Sequence, residues 1–175
     1  MRLTVGNKVV YPGRGPCLIG AVINKVVCGT SASFYRLTLL DDSSAELFVP
    51  VEKSSDLQIR SLLDRSEIPK LLANLKTRTG PATDPGPKSW RQRNLENLEL
   101  FNSGSIFDLA RVVESLTQLS GTKTLASNER ETLQRARALV VSEIAAVMDE
   151  SKAAAEARIN TVLEAGKQKT NRRQN

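Results

Sequence analysis

The chain has 175 residues, 40% of them apolar, which is enough for two small domains or one ordinary one with a real core. Its net charge of +6 and isoelectric point near 9.6 favour an anionic partner over an acidic-substrate pocket. It contains no histidine, which excludes His-based general-base catalysis, Ser-His-Asp and Cys-His nucleophile systems and histidine metal sites. Two cysteines, Cys17 and Cys28, lack a C-x-x-C spacing and read as a reduced, buried pair. No apolar run approaches the roughly 20 residues that span a bilayer, and no signal-peptide core opens the chain. A cytoplasmic protein without a membrane partner is expected.

Residues 3–60 alternate with period two between turn formers. Lys8–Tyr11 is a short segment closed by Pro12-Gly13-Arg14-Gly15. Positions 17, 19, 21 and 23 alternate through Gly20, as do Tyr35, Leu37 and Leu39, and then Leu47, Val49 and Val51. Gly29–Ser33 and Asp41–Ser44 read as the loops between them. Four or five short strands at this spacing predict a small antiparallel sheet or barrel, with a bulge or corner at Gly20.

From residue 66 the period becomes helical. Ser66 reads as a cap with Pro69 in the first turn, and Ile68, Leu71, Leu72 and Leu75 as the buried face. Thr79–Pro87, with three prolines and two glycines, is a linker. A helix from Pro87 follows, with Leu95, Leu98 and Phe101 as its expected buried stripe. Trp90 then falls roughly 80° to the side of that stripe at about 100° per residue. Ser105 caps a helix ending at Gly121 with Leu109, Val112, Val113 and Leu116 inward. Ser127 caps a long one bearing Leu133, Ala136, Val140, Ile144 and Val147. Ser151 caps the last, with Ala155, Ile159, Val162 and Leu163. The fold class is therefore α+β: a small antiparallel β-barrel over residues 1–60, a helical bundle over 61–165, and a basic tail over 166–175.

Trp90 is the only tryptophan, and Lys88, Arg91 and Arg93 surround it before the first acid, Glu96. Cations at the positive end of a helix are unfavourable unless an anion binds there, and a phosphate backbone matches free N–H groups beside guanidinium forks. On residues alone, this reading stands beside a plainer one in which Trp90 fills a gap between linker and bundle. Gly13-Arg14-Gly15 lacks the Lys-Ser/Thr of a phosphate loop and precedes a strand, so it reads as a tight turn. Asp41-Asp42 reads as turn chemistry, and Glu129-Arg130-Glu131 as the polar first turn of a helix. No catalytic grouping and no metal or cofactor site is found.

The stretches VGNKVVYPGRGPCLIGAV, FYRLTLL and LFVPVE resemble the RNA-polymerase-interacting, Tudor-like domain of CarD-type bacterial transcription regulators, shared with the transcription-repair coupling factor. PKSWRQRNLENLELFNSGSIFDLARVVESLTQL and LASNERETLQRARALVVSEIA are similar to the helical C-terminal domain of the same family. The resemblance implies a non-enzymatic factor whose β-domain docks on the β-subunit lobe of RNA polymerase. Its helical domain is expected to contact promoter DNA at the upstream edge of the transcription bubble, largely without sequence specificity. There the family's tryptophan wedges into the minor groove and hinders bubble collapse. By position Trp90 is that residue, Arg93 matches a basic residue of the same motif, and Lys25 matches a basic polymerase contact. Leu95 stands where some relatives carry a DNA-contacting lysine, and Phe48 where some carry a second polymerase-contacting arginine. The expected DNA-facing set is Trp90, Arg93, Arg91 and Lys88, and the polymerase-facing set is Lys25 and Phe48, in a monomer. A rival reading is a polymerase-binding adaptor whose bundle recruits another protein through Trp90. A barrel that binds RNA or ribosomes would leave the Trp90 helix without a role.

Overall fold

A computed structural model describes residues 3–41, 45–54, 56–76 and 90–171, with backbone alone for Trp90 and for 167–171. The chain divides into two compact units, Met1–Leu62 and Leu63–Asn175. The first holds β1 (Lys8–Tyr11), β2 (Gly15–Val27), β3 (Thr30–Leu39), β4 (Glu46–Pro50) and β5 (Arg60–Ser61). The second holds α1 (Ile68–Lys76), α2 (Trp90–Asn102), α3 (Ile106–Thr122), α4 (Ser127–Met148) and α5 (Lys152–Asn171). The α+β class expected from the sequence is what the chain forms.

The strands form one antiparallel sheet in the order β4-β3-β2-β1-β5. β4 and β5 end it without pairing to each other, so the sheet is open and the closed barrel expected from strand spacing does not form. Alternation decides its faces: Val9, Cys17, Ile19, Leu37 and Val49 are buried on one side with Leu3 and Ile59. The register shifts between Ile19 and Val22, which is the bulge foreseen at Gly20. A Cβ at Gly20 would lie 3.0 Å from the Arg36 carbonyl oxygen, so the backbones approach there as only glycine allows. After the bulge Val22, not Ala21, is the residue paired with Tyr35, although Val22 itself stays exposed. Gly29–Ser33 is not a loop: Cys28-Gly29 alone join β2 to β3, both with positive φ, as a two-residue hairpin turn of the primed type requires. Cys28 is consequently exposed while Cys17 is buried, and both are free thiols, so the buried pair expected from the sequence does not exist.

The helical unit has one core. Ile68, Leu71 and Leu75 of α1 join Leu109, Val112, Val113 and Leu116 of α3, Ala136, Val140 and Ile144 of α4, and Ala155, Ile159 and Leu163 of α5. These are the stripes that the 3.6-residue period marks out. Ser105 caps α3, its hydroxyl accepting from the Asp108 N–H at 3.4 Å, and Ser151 accepts from the Ala154 N–H at 3.2 Å ahead of α5. Two other expected caps are replaced. Ser66 lies inside a 3-10 turn, Arg65–Glu67, that runs into α1. Ahead of α4 the cap position is Ala126, whose N–H donates to Glu129 Oε2 at 3.0 Å, while Ser127 is already helical. Gly121 lies within α3, which continues to Thr122. A buried carboxylate, Glu143 of α4, accepts from the Leu63 N–H at 3.1 Å and fixes the start of the unit. The linker Thr79–Pro87 lies outside the described residues.

Candidate functional site

Because Cys17, Ile19, Leu37 and Val49 turn inward, the residues between them turn outward, and on that face Leu18 and Phe48 remain 38% and 40% exposed. Lys25, beyond the bulge on β2, reaches across the sheet and places Nζ 3.4 Å from the centroid of the Phe48 ring on β4. The two residues expected to face polymerase, 23 positions apart, are thus brought into one contact. Arg36 of β3 is the register partner of Phe48, and its guanidinium lies 3.7 Å from Glu46. The outer face is therefore an aromatic ring flanked by two cations, beside β4, a strand paired along one edge only. Arg36 was missed as a site candidate, though the alternation of Tyr35, Leu37 and Leu39 already puts it on the Phe48 side.

In the helical unit, α2 is described from Trp90 onward, and its expected orientation is overturned. Leu95 and Leu98 are 61% and 50% exposed, whereas Asn97 and Phe101 are buried at 8% and 9%. At about 100° per residue, Arg93, Asn97, Leu100 and Phe101 share the inner stripe, and Arg91, Leu95, Leu98 and Asn102 the outer one. Position 90 then falls in line with Asn97 and Phe101, one turn ahead of Arg93, and not on the flank. The physical reason is that Arg93 and Asn97, not Leu95 and Leu98, meet the bundle ahead of Leu100 and Phe101. Arg93 Nη2 lies 3.2 Å from Glu129 Oε1, with side-chain exposures of 21% and 3%. The Arg135 guanidinium of α4 lies 5.1 Å from the centroid of the Phe101 ring.

Of the four residues expected to face DNA, Arg91 is exposed on the outer stripe and Arg93 is engaged by Glu129. Lys88 and the Trp90 side chain lie outside the described residues. Glu129, read from the sequence as an ordinary first-turn acid, is the residue that the pattern concealed. Its position three residues after Ala126 was the available signal for a cap, but its burial depends on a partner 36 residues away.

Gly13-Arg14-Gly15 is the turn expected: the Arg14 N–H donates to the Tyr11 oxygen at 3.0 Å, and β1 and β2 close around it through the Tyr11–Gly15 pair. Among the described residues no group of three or more Cys, Asp or Glu could hold a metal ion, and no helix is long and apolar enough to cross a membrane.

The comparisons with known proteins divide the chain much as the structure does. Residues 3–62 match the CarD-like/TRCF RID domain, and residues 70–160 match the CarD C-terminal domain. The chain is also similar to the putative transcription factor YdeB of Bacillus subtilis (strain 168), with 24% identity over 140 residues, covering 80% of this chain and 88% of that protein. A CarD-like/TRCF RID module followed by a CarD helical module accounts for nearly the whole length, and the chain therefore belongs to the CarD family of transcription-related proteins.

Proposed function

We propose that the protein is a non-enzymatic regulator of transcription initiation that holds the β-subunit lobe of RNA polymerase with its sheet and promoter DNA with α2. The observation that carries this reading is the pairing of the two CarD-type modules in one chain, with α2 described from Trp90 and no acid ahead of Glu96. Lys25 and Phe48, already stacked on each other, form the polymerase-facing contact. Trp90 is the wedge at the upstream edge of the bubble, with Lys88 and Arg91 supplying positive charge around it. An apolar wedge at a strand junction acts on unstacked steps and not on base edges, so it discriminates little between sequences. It favours the open complex because it binds that state better than the closed one. The factor acts as a cytoplasmic monomer on polymerase-bound promoters.

The test is the lifetime of the open complex with wild-type protein and with Trp90→Ala. An aromatic–base contact is worth about 1–3 kcal/mol, so its loss shortens the lifetime by roughly tenfold while polymerase binding is retained. An unchanged lifetime rejects the wedge.

One observation favours a second reading, a polymerase-bound adaptor whose helical unit recruits another protein: the exposed Leu95 and Leu98 on the outer stripe of α2. Salt separates the two. Affinity for a DNA partner falls steeply with ionic strength, whereas an interface built on leucines is nearly indifferent to it.

A further inference from the structure

We propose that Arg93 is a positioning residue, whose ion pair with Glu129 fixes the N-terminal half of α2 and so sets where position 90 is presented. The inference deepens the DNA-contact reading of α2 and rests on it for its consequence, though not for the ion pair itself.

Between Arg91 and Glu99 the inner side of α2 carries no apolar residue: Leu95 and Leu98 are both on the outer stripe. The C-terminal half is held by Phe101, packed in the core and facing Arg135 of α4. Arg93 ties the N-terminal half to α4, eight positions or about 12 Å along the axis from Phe101. Its partner is firmly placed. Glu129 is 2% exposed; one oxygen meets Arg93 Nη2 at 3.2 Å, and the other accepts the Ala126 N–H at 3.0 Å. One carboxylate therefore caps α4 and holds α2. A guanidinium spent on a buried carboxylate contributes little net field toward a phosphate, and removing Arg93 leaves the Glu129 carboxylate buried without this ion pair. These observations move Arg93 from the DNA-touching set to the framework behind it.

The experiment compares the full chain with Arg93→Gln, Glu129→Gln and the double variant. Glutamine at 129 still accepts from the Ala126 N–H, so the α4 cap survives, and the double variant leaves no buried charge, which guards against simple loss of folding. The first readout is hydrogen exchange of the amides of residues 94–98 without DNA or polymerase. Each single variant accelerates it by about tenfold or more, and the double variant less than either. Unchanged exchange in both single variants overturns the proposal.

The second readout is binding to a forked promoter with polymerase across a salt series. Positioning predicts several-fold weaker binding for both single variants with an unaltered salt slope, and partial recovery in the double. The decisive arm is Glu129→Gln, which must weaken binding although it makes the protein more cationic. If Arg93→Gln lowers the slope by about 0.9 and Glu129→Gln binds as well as wild type, Arg93 touches phosphate and the proposal is wrong. If exchange accelerates as expected while no version of the protein binds forked DNA, the ion pair stands and the DNA-contact reading of α2 falls.

Discussion

The Lys25 ammonium stands 3.4 Å from the centroid of the Phe48 ring, joining β2 to β4 across the intervening β3. An exposed cation–π contact contributes about 0.5–1 kcal/mol, so its value to the fold is small. Its value to recognition is that it holds a charge and a ring in one orientation before any partner arrives. Lys25→Glu is expected to weaken binding to the isolated polymerase β lobe by about tenfold or more, since it replaces a steering cation with a repelling anion. Equal capture of wild type and variant in a pull-down would remove Lys25 from the interface.

Phe48→Leu separates ring from bulk. Leucine keeps the apolar area but gives Lys25 no π face, so lobe binding should drop only a few-fold while the thermal midpoint of the sheet unit stays within a few degrees. Calorimetry with lobe titration checks both. A large fall in the midpoint would make Phe48 a structural residue first.

Burial pushes the Cys17 thiol from 9.0 up to about 11, while Cys28 is exposed at the hairpin tip. One fast and one protected thiol should therefore appear on titration with a thiol reagent, the second reacting only when denaturant is added. The folded state favours the neutral Cys17 thiol. Its contribution to stability is therefore fully present below pH 9.0 and is lost as pH rises toward and through about 11. Melting wild type against Cys17→Ala across that range measures the loss; parallel curves would contradict it.

Glu143 of α4, 2% exposed, accepts the Leu63 N–H at the start of the helical unit. Glu143→Ala should cost about 2 kcal/mol, the range of hydrogen bonds to charged groups, with the unmet N–H adding to it. Urea unfolding measures this, and a difference within about 0.5 kcal/mol, typical of surface substitutions, would show that the carboxylate is dispensable.

The helical unit was legible in the sequence wherever apolar spacing and the core coincide, as at Leu109, Val112, Val113 and Leu116 of α3. The Gly20 bulge was legible too, because a glycine inside an alternating run has few other reasons to be there. Sheet closure and the orientation of α2 were among the features that were not. Closure of the sheet depends on whether β4 and β5 meet, and no local pattern encodes that. The orientation of α2 failed for a different reason: Leu95, Leu98 and Phe101 make a plausible apolar stripe, but Arg93 and Asn97 occupy the inner face. Periodicity assumes that burial follows hydrophobicity. An arginine whose carboxylate partner lies 36 residues downstream breaks that assumption invisibly. Within the candidate site, the Lys25–Phe48 contact joins residues proposed from family resemblance, whereas Arg36 and Glu129 emerged only from packing.

The most direct measurement is site-specific photocrosslinking from position 90 to a promoter with a preformed fork, in the presence of RNA polymerase. The account predicts crosslinks to nucleotides at the upstream edge of the melted region, dependent on polymerase and indifferent to the local base sequence. Crosslinks confined to protein, or none above the level seen from an outer-stripe position such as Asn102, would contradict it.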